Sequence, residues 1–526
     1  MLGRGDAGAC EDLGEPLVTP EQVPLGCLTV IPDDVLERFA ALPADTQVHI
    51  PGPCRPRIAR IAAENLDGMA RGCPHSARLE WIWPRVLLAP LPRHCRASTE
   101  VGARLQMWEE QRWRELAARL EVQRLERRGA RTAGDGGFDR YARIKTLVRA
   151  GAYSKAATAL TLEVADLSQE DSLRWAEQLL PRSTGAGAIA VPPRTGDEED
   201  DDAETSAQRL DKAVESLRKL RFGPRTAPGP TGLRPEHLRE LAGAQRHGAG
   251  RRFIRAMARM AIAATEGRLA AEARWILDSK LVWLKKKGKA APRPIRIGET
   301  YRRAIGKWNV DRAKQGIVRA LVADGQLGVG VPCAVEGLVH SYRLLEGALK
   351  SGEHGEWLAL DIDMVNYFSL LEWAPIREGV AAVAGGLSIW TQWCMSAPCW
   401  VHLPDGSKRQ LDQGAEQGDP EGSFRACAVL SQCTRAADDV LKVTLREAGI
   451  EGEASAFCFF IDDGRVLLRK EWSEIWLRAF DDALRARGGT RVAGDGTCKS
   501  TARLLGGADT SDVAWASDLP LLTADV

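Results

Sequence analysis

Three segments of this sequence carry aspartates where an apolar run stops. From Phe457 to Leu468 five apolar residues lead into Asp462, Asp463 and Gly464, and Val466, Leu467 and Leu468 follow. Asp-Gly between two β-type runs predicts a tight hairpin, with two adjacent carboxylates at its tip. Neighbouring carboxylates repel, and burial raises their pKa, so the pair calls for a counter-charge that a divalent cation can supply. An exposed turn would use the same residues, since Asp and Gly are ordinary turn formers. The second segment, Leu358 to Phe368, is an apolar strand that reaches Asp361 and Asp363 before turning into a helix near Trp373. Alternation puts both aspartates on one strand face. The third, Gln413 to Gly422, is a loop opening a helix, with Asp419 as a predicted N-cap and Pro420 as the first helical residue. Each segment is weak evidence alone; their order gives them weight.

The elements that must position these residues are strands predicted at 280–286, 356–363, 398–403, 408–413 and 457–468, with a turn at Leu403-Pro-Asp-Gly-Ser407. Amphipathic helices over 373–384 and 421–443 alternate with them, which predicts an α+β sheet domain backed by helices. Upstream, residues 1–100 are rich in Pro, Gly and Arg and read as irregular and partly disordered. A helical domain over 101–182 follows. It comprises a helix at 104–128, a pair at 138–150 and 153–161, and one at 168–180 that starts on Ser168 with Asp171 three residues on. Residues 183–206, with the acidic run 197–204, read as a flexible linker.

A chain of 526 residues exceeds one ordinary core, and 44% hydrophobic with 27% charged residues fits a globular protein. No run of eighteen apolar residues predicts a membrane span, and the N-terminus lacks the apolar stretch of a secretory signal. An intracellular, reducing setting is the expectation. Its 12 cysteines form no CxxC pair, and Cys73, His75, His94 and Cys95 make a poor zinc cluster, so the thiols are expected to be mostly buried apolar groups. Net charge is only +1, yet basic residues gather at Arg251, Arg252 and Arg255, at 285–289, and at Arg302, Arg303 and Lys307. A phosphate backbone needs such a stretch; on charge alone a solvated face is the better reading.

Taken in order, the motifs resemble the reverse transcriptases, especially those of non-LTR (LINE-like) retrotransposons, over residues 215–507. Arg225 to His237 looks like the GPDG[IL]xPE entry segment, and Leu284 to Ile295 like the fingers motif in which lysines precede an RPI triplet. Asp363 to Phe368 resembles motif A, Gln417-Gly418-Asp419-Pro420 motif B, and Phe460-Ile-Asp-Asp463 the [YF]xDD of motif C. Cys498-Lys499-Ser500 looks like motif D and Leu504-Leu-Gly506 like the start of the primer grip. The sequence departs from the pattern at Phe460, where tyrosine is commoner, and at Tyr367, where a small residue is usual.

The resemblance implies a right-hand polymerase with fingers at 207–345 and palm at 346–507. Residues 508–526 would be a tail or the start of a missing or truncated thumb. It implies RNA-directed DNA synthesis from an RNA template, a DNA primer and deoxynucleoside triphosphates, with two Mg²⁺ ions, or Mn²⁺ in their place, held by Asp363, Asp462 and Asp463. Arg293 and Lys286 would neutralise the triphosphate, Gln417 and Gly418 would lie against nucleotide and template, and Lys499 would protonate pyrophosphate. Phe368 would exclude a 2′-hydroxyl, which disfavours an RNA-copying RNA polymerase. A maturase would need a basic helical segment after the palm, and none is read here. Nuclear residence follows only from the resemblance. The competing expectation is a catalytically inactive or truncated polymerase fold that binds RNA.

Overall fold

The computed structural model describes residues 31–92, 95–129, 144–145, 148–149, 163–165, 167–183, 205–223, 226–244, 246–286, 290–349, 356–450, 455–491 and 501–505. Two four-stranded sheets organise the second half. In the first, β1 (Ser279–Leu284) lies antiparallel to β2 (Arg293–Gly298) on one side and parallel to β4 (Cys399–His402) on the other. The hairpin from β4 to β5 (Lys408–Leu411) closes that sheet, and Asp405 Oδ1 accepts from Ser407 N at 2.9 Å, as the Pro-Asp-Gly-Ser sequence predicts. In the second sheet β3 (Trp357–Ile362) is flanked by β7 (Asp463–Arg469) and β8 (Thr501–Leu505), with β6 (Ser455–Phe460) outside β7, all antiparallel. The strands near the predicted positions 398–403 and 408–413 therefore join β1's sheet, β4 beside β1 and β5 beside β4, and not the sheet whose strands carry the aspartates.

Helices Gly422–Glu447 and Ser473–Arg485 cover the second sheet. Phe459 of β6 stacks on Phe480, whose ring stacks on Trp476 at 5.1 Å, so aromatic packing fixes the height of the β6–β7 hairpin. This α+β architecture agrees with the sequence. Among the described residues no helix is long and apolar enough to cross a membrane.

The N-terminal third corrects the sequence reading. Residues 33–40, 55–70 and 74–87 are helical where an irregular segment was expected, and a further helix, 97–109, begins before the predicted start at 104. The prolines that suggested disorder open helices instead: Pro56 and Pro74 sit in the first turns, where a missing N–H costs nothing. Buried arginines hid the core. Arg104 is fully buried, donating to Ala89 O at 2.6 Å and to Gln123 at 2.8 Å, and Arg85 reaches Pro230 O at 3.0 Å. The single predicted helix 104–128 is two, Ala97–Glu109 and Trp113–Gly129, because Gln111 at φ 56° turns the chain so that Trp108 and Trp113 bury edge to face. The helix at Gln169–Leu179 starts as expected, with Asp171 N donating to the Ser168 hydroxyl at 3.0 Å. Most of 138–161 and residues 184–204 and 506–526 lie outside the described residues.

Nor do these helices form a separate unit. One continuous apolar cluster runs from Ile31 to Leu484. Arg259 pairs with Asp67 at 2.7 Å, Trp275 Nε1 donates to Ala77 O at 3.0 Å, and Tyr301 donates to Glu80 at 2.5 Å. Burial lifts the Glu80 carboxyl to about 7, despite hydrogen bonds from Trp83, Tyr301 and Asn65. The folded chain therefore holds a proton there that the unfolded chain has released above its ordinary value of 4.5. Stability from this group is full below that value and is lost as pH rises towards 7. Glu80→Gln, which keeps the acceptor oxygen, is expected to flatten this slope and to be the more stable form at pH 8 by up to about 3 kcal/mol. Denaturant unfolding at pH 5 and pH 8 measures it; parallel curves for both proteins would refute the assignment.

Candidate active site at one end of the second sheet

Asp363 is the residue after β3, and Asp463 is the first residue of β7. Because Ile362 stands opposite Gly464, both strands bring their aspartates to the same edge of the sheet, a strand spacing of about 4.8 Å apart. The hairpin differs in detail from the prediction. Phe460 pairs with Asp463, so the two turn residues are Ile461 and Asp462, and Ile461 takes φ 63°. A β-branched residue there is strained, and such strain persists only where the surroundings impose it. Gly464 lies inside β7; a Cβ on it would come within 2.1 Å of the Phe459 ring, so the glycine serves packing.

Burial pushes the half-buried Asp462 carboxyl above the usual carboxylate range. The charges of Asp463 and Asp363 push the same way, and Arg293 pulls it back. Those four side chains share one electrostatic neighbourhood. Asp363 Oδ1 accepts from Met364 N at 2.9 Å. Asp361, predicted on the same strand face, is engaged by Arg465 of β7 at 2.8 Å, whose guanidinium lies over the Tyr342 ring. Among the described residues no three His, Cys, Asp or Glu side chains are grouped closely enough to hold a metal ion.

The short helix Tyr367–Leu370 carries Phe368, which is half-buried. Ala415 N donates to Phe368 O and Gly414 N to Leu371 O, both at 2.7 Å, so the loop before Gln417 is laced to the segment after Asp363. Gly414 at φ 89° permits this approach, since a Cβ there would meet the Phe368 and Ser369 carbonyls at 3.1 Å. Tyr367 is buried below, its hydroxyl donating to Ala426 O at 3.0 Å, and so supports the floor of the site.

Gln417 and Gly418 are exposed on a loop whose underside is a buried ion network. Glu416, 4% exposed, meets Arg296 at 2.5 Å and Arg302 at 2.7 Å; Arg302 also meets Asp419 at 2.7 Å. Glu421 takes Trp390 Nε1 at 2.9 Å and Asn309 at 3.0 Å and pairs with Arg425. Asp419 therefore is not the predicted N-cap. The helix starts at Gly422, and the Asp419 carboxylate turns inward to Arg302, leaving one oxygen on Glu421 N at 2.8 Å. Arg302 and Arg303, read from the sequence as part of a basic stretch on the surface, are buried at 6% and 7% exposure because internal carboxylates and carbonyls claim them.

Arg293 opens β2, exposed, and its neighbour Pro294 lines one crevice with Ser369 and Gln417. Lys286, just past β1, is exposed; Lys499 lies outside the described residues. Sequence reasoning missed Gln326, which is 1% exposed and bonds both backbone groups of Ile461. A buried glutamine has no sequence signature. No protein-family model matches the chain, and no curated protein matches it.

Proposed function

We propose that this chain is a polymerase of the reverse-transcriptase kind, extending a DNA primer on an RNA template. The observation that carries the reading is the meeting of Asp363 and Asp462-Asp463 at one end of adjoining strands, with Arg293 near Asp462. The donor chemistry suits hard divalent cations: all carboxylate oxygens, with burial and mutual repulsion raising Asp462, a cost that a cation drawing the three side chains together would relieve. Two Mg²⁺ ions, or Mn²⁺ in their place, would supply Lewis-acid activation of the primer 3′-hydroxyl and charge stabilisation for the departing pyrophosphate.

The chain's own residues then have distinct tasks. Asp363 and Asp462 would hold both ions, and Asp463 would support them. Arg293, a planar fork, and Lys286 would bind the triphosphate. The loop at Gln417 and Gly418 would let backbone lie against nucleotide and template, with Gly418 at φ 102°. Lys499 belongs to the same proposal as the proton donor to pyrophosphate. The fingers of the resemblance, 207–345, would carry β1 and β2, and the palm, 346–507, the second sheet together with β4 and β5.

Phe368 would lie beneath the incoming sugar and clash with a 2′-hydroxyl. Phe368→Ala is expected to raise ribonucleotide relative to deoxynucleotide incorporation by roughly 10- to 100-fold, the range of one lost steric contact. Single-nucleotide extension with each sugar measures it, and an unchanged ratio counts against this placement. Primed RNA, deoxynucleotides and Mg²⁺ test the whole reading. Template-dependent extension is the expected result; RNA binding without it would favour an inactive polymerase fold.

A further inference from the structure

We infer that Gln326 is a positioning residue that holds the Ile461-Asp462 turn in the conformation presenting Asp462 to Asp363. The inference deepens the polymerase reading and rests on it. The helix Thr300–Ala323 ends in a Schellman turn: Gly325 N donates to Val322 O at 3.0 Å and Gln326 N to Leu321 O at 2.9 Å, with Gly325 at φ 73°. The chain then runs beside β6. Phe459 N donates to Gly325 O and Leu327 N to Phe459 O, both at 2.8 Å. This short parallel pairing delivers the Gln326 side chain to the hairpin turn.

There one carboxamide satisfies both backbone groups of a single residue. Ile461 N donates to Gln326 Oε1, and Gln326 Nε2 donates to Ile461 O, each at 2.9 Å. Gly328 N donates to the same Oε1 at 3.1 Å, which fixes which end of the amide is oxygen. Ile461 is the residue at φ 63°, a conformation it would leave if free. Gly328 closes the other side, since a Cβ there would stand 2.4 Å from Ile461 N. The strained residue immediately before Asp462 is thus held by a bidentate amide and by a glycine that leaves no room for displacement. Any relaxation at Ile461 swings the next side chain, so the position of Asp462 depends on this grip.

Two variants of the full chain test it. Gln326→Met keeps the shape and removes both bonds; Gln326→Asn keeps the amide but is one methylene too short to span Ile461, and guards against loss of folding. Amide exchange over 457–463, Mn²⁺ binding by calorimetry, and primer extension are compared with the wild-type chain. The expected result is faster exchange confined to that segment, with Mn²⁺ affinity and kcat each reduced roughly tenfold or more. Nucleotide KM and the global melting temperature should stay near wild type, which a merely structural role would not spare. Wild-type exchange and Mn²⁺ affinity in both variants would overturn the inference. A wild-type chain without Asp462-dependent Mn²⁺ binding would instead strike the polymerase reading, and the exchange comparison would then decide the role of Gln326 alone.

Discussion

Alanine in place of Asp462 is expected to lower nucleotide incorporation by about three orders of magnitude or more, because it removes a ligand whose cation contributes several kcal/mol to the transition state. The fold should tolerate the change. Burial and the charges of Asp463 and Asp363 raise the Asp462 carboxyl, so its ionised form is held at a cost in the folded chain. A raised carboxylate contributes stability below its unfolded value and loses it as pH rises, so deleting the charge should leave the melting temperature at pH 8 unchanged or higher. Primer extension and melting curves on Asp462→Ala and Asp462→Asn measure both halves. Retained extension would remove Asp462 from the chemistry, and a collapsed fold would make it structural.

Glu416→Ala is expected to have the largest effect on stability, roughly 3–5 kcal/mol, because it leaves the buried Arg296 without a carboxylate and Arg302 with Asp419 alone. Arg296 and Arg302 are 6% and 7% exposed at their side chains, and Glu416 meets both. Burial alone would lower Arg302, but Glu416 and Asp419 outweigh it and raise it well above its ordinary value. Asp419 already pairs with Arg302. Because the network lies under Gln417 and Gly418, nucleotide KM should rise in any protein that still folds. Glu416→Gln, which keeps an acceptor without the charge, should fall between. Denaturant unfolding of the three proteins checks the order. Equal stability of Glu416→Ala and wild type would show the charges to be solvated.

The acidic end of the second sheet was legible because strand alternation and an apolar run ending in aspartate are local patterns. Asp363, Asp462 and Asp463 were each read that way, and the pairing of β3 with β7 then brings them together. The turn itself was misread by two positions, since Asp463-Gly464 has the ideal turn chemistry while Phe459 packing draws Gly464 into the strand. What joins distant segments was not legible. Gln326 lies 135 positions from the residue it holds, and Arg302 looked like surface charge until Glu416 and Asp419 were placed around it. The N-terminal helices were missed for the same reason. Arginine reads as solvent-facing, and here Arg85 and Arg104 are internal.

The helix Thr300–Ala323 enters the arginine network at Arg302 and hands over to Gln326 at its far end. It works as a spacer of set length, about 36 Å at 1.5 Å per residue. One inserted residue would turn everything beyond it by about 100°, and a full extra turn would overshoot by about 5.4 Å. The helix can vary in its outward side chains, but not in how many residues it contains.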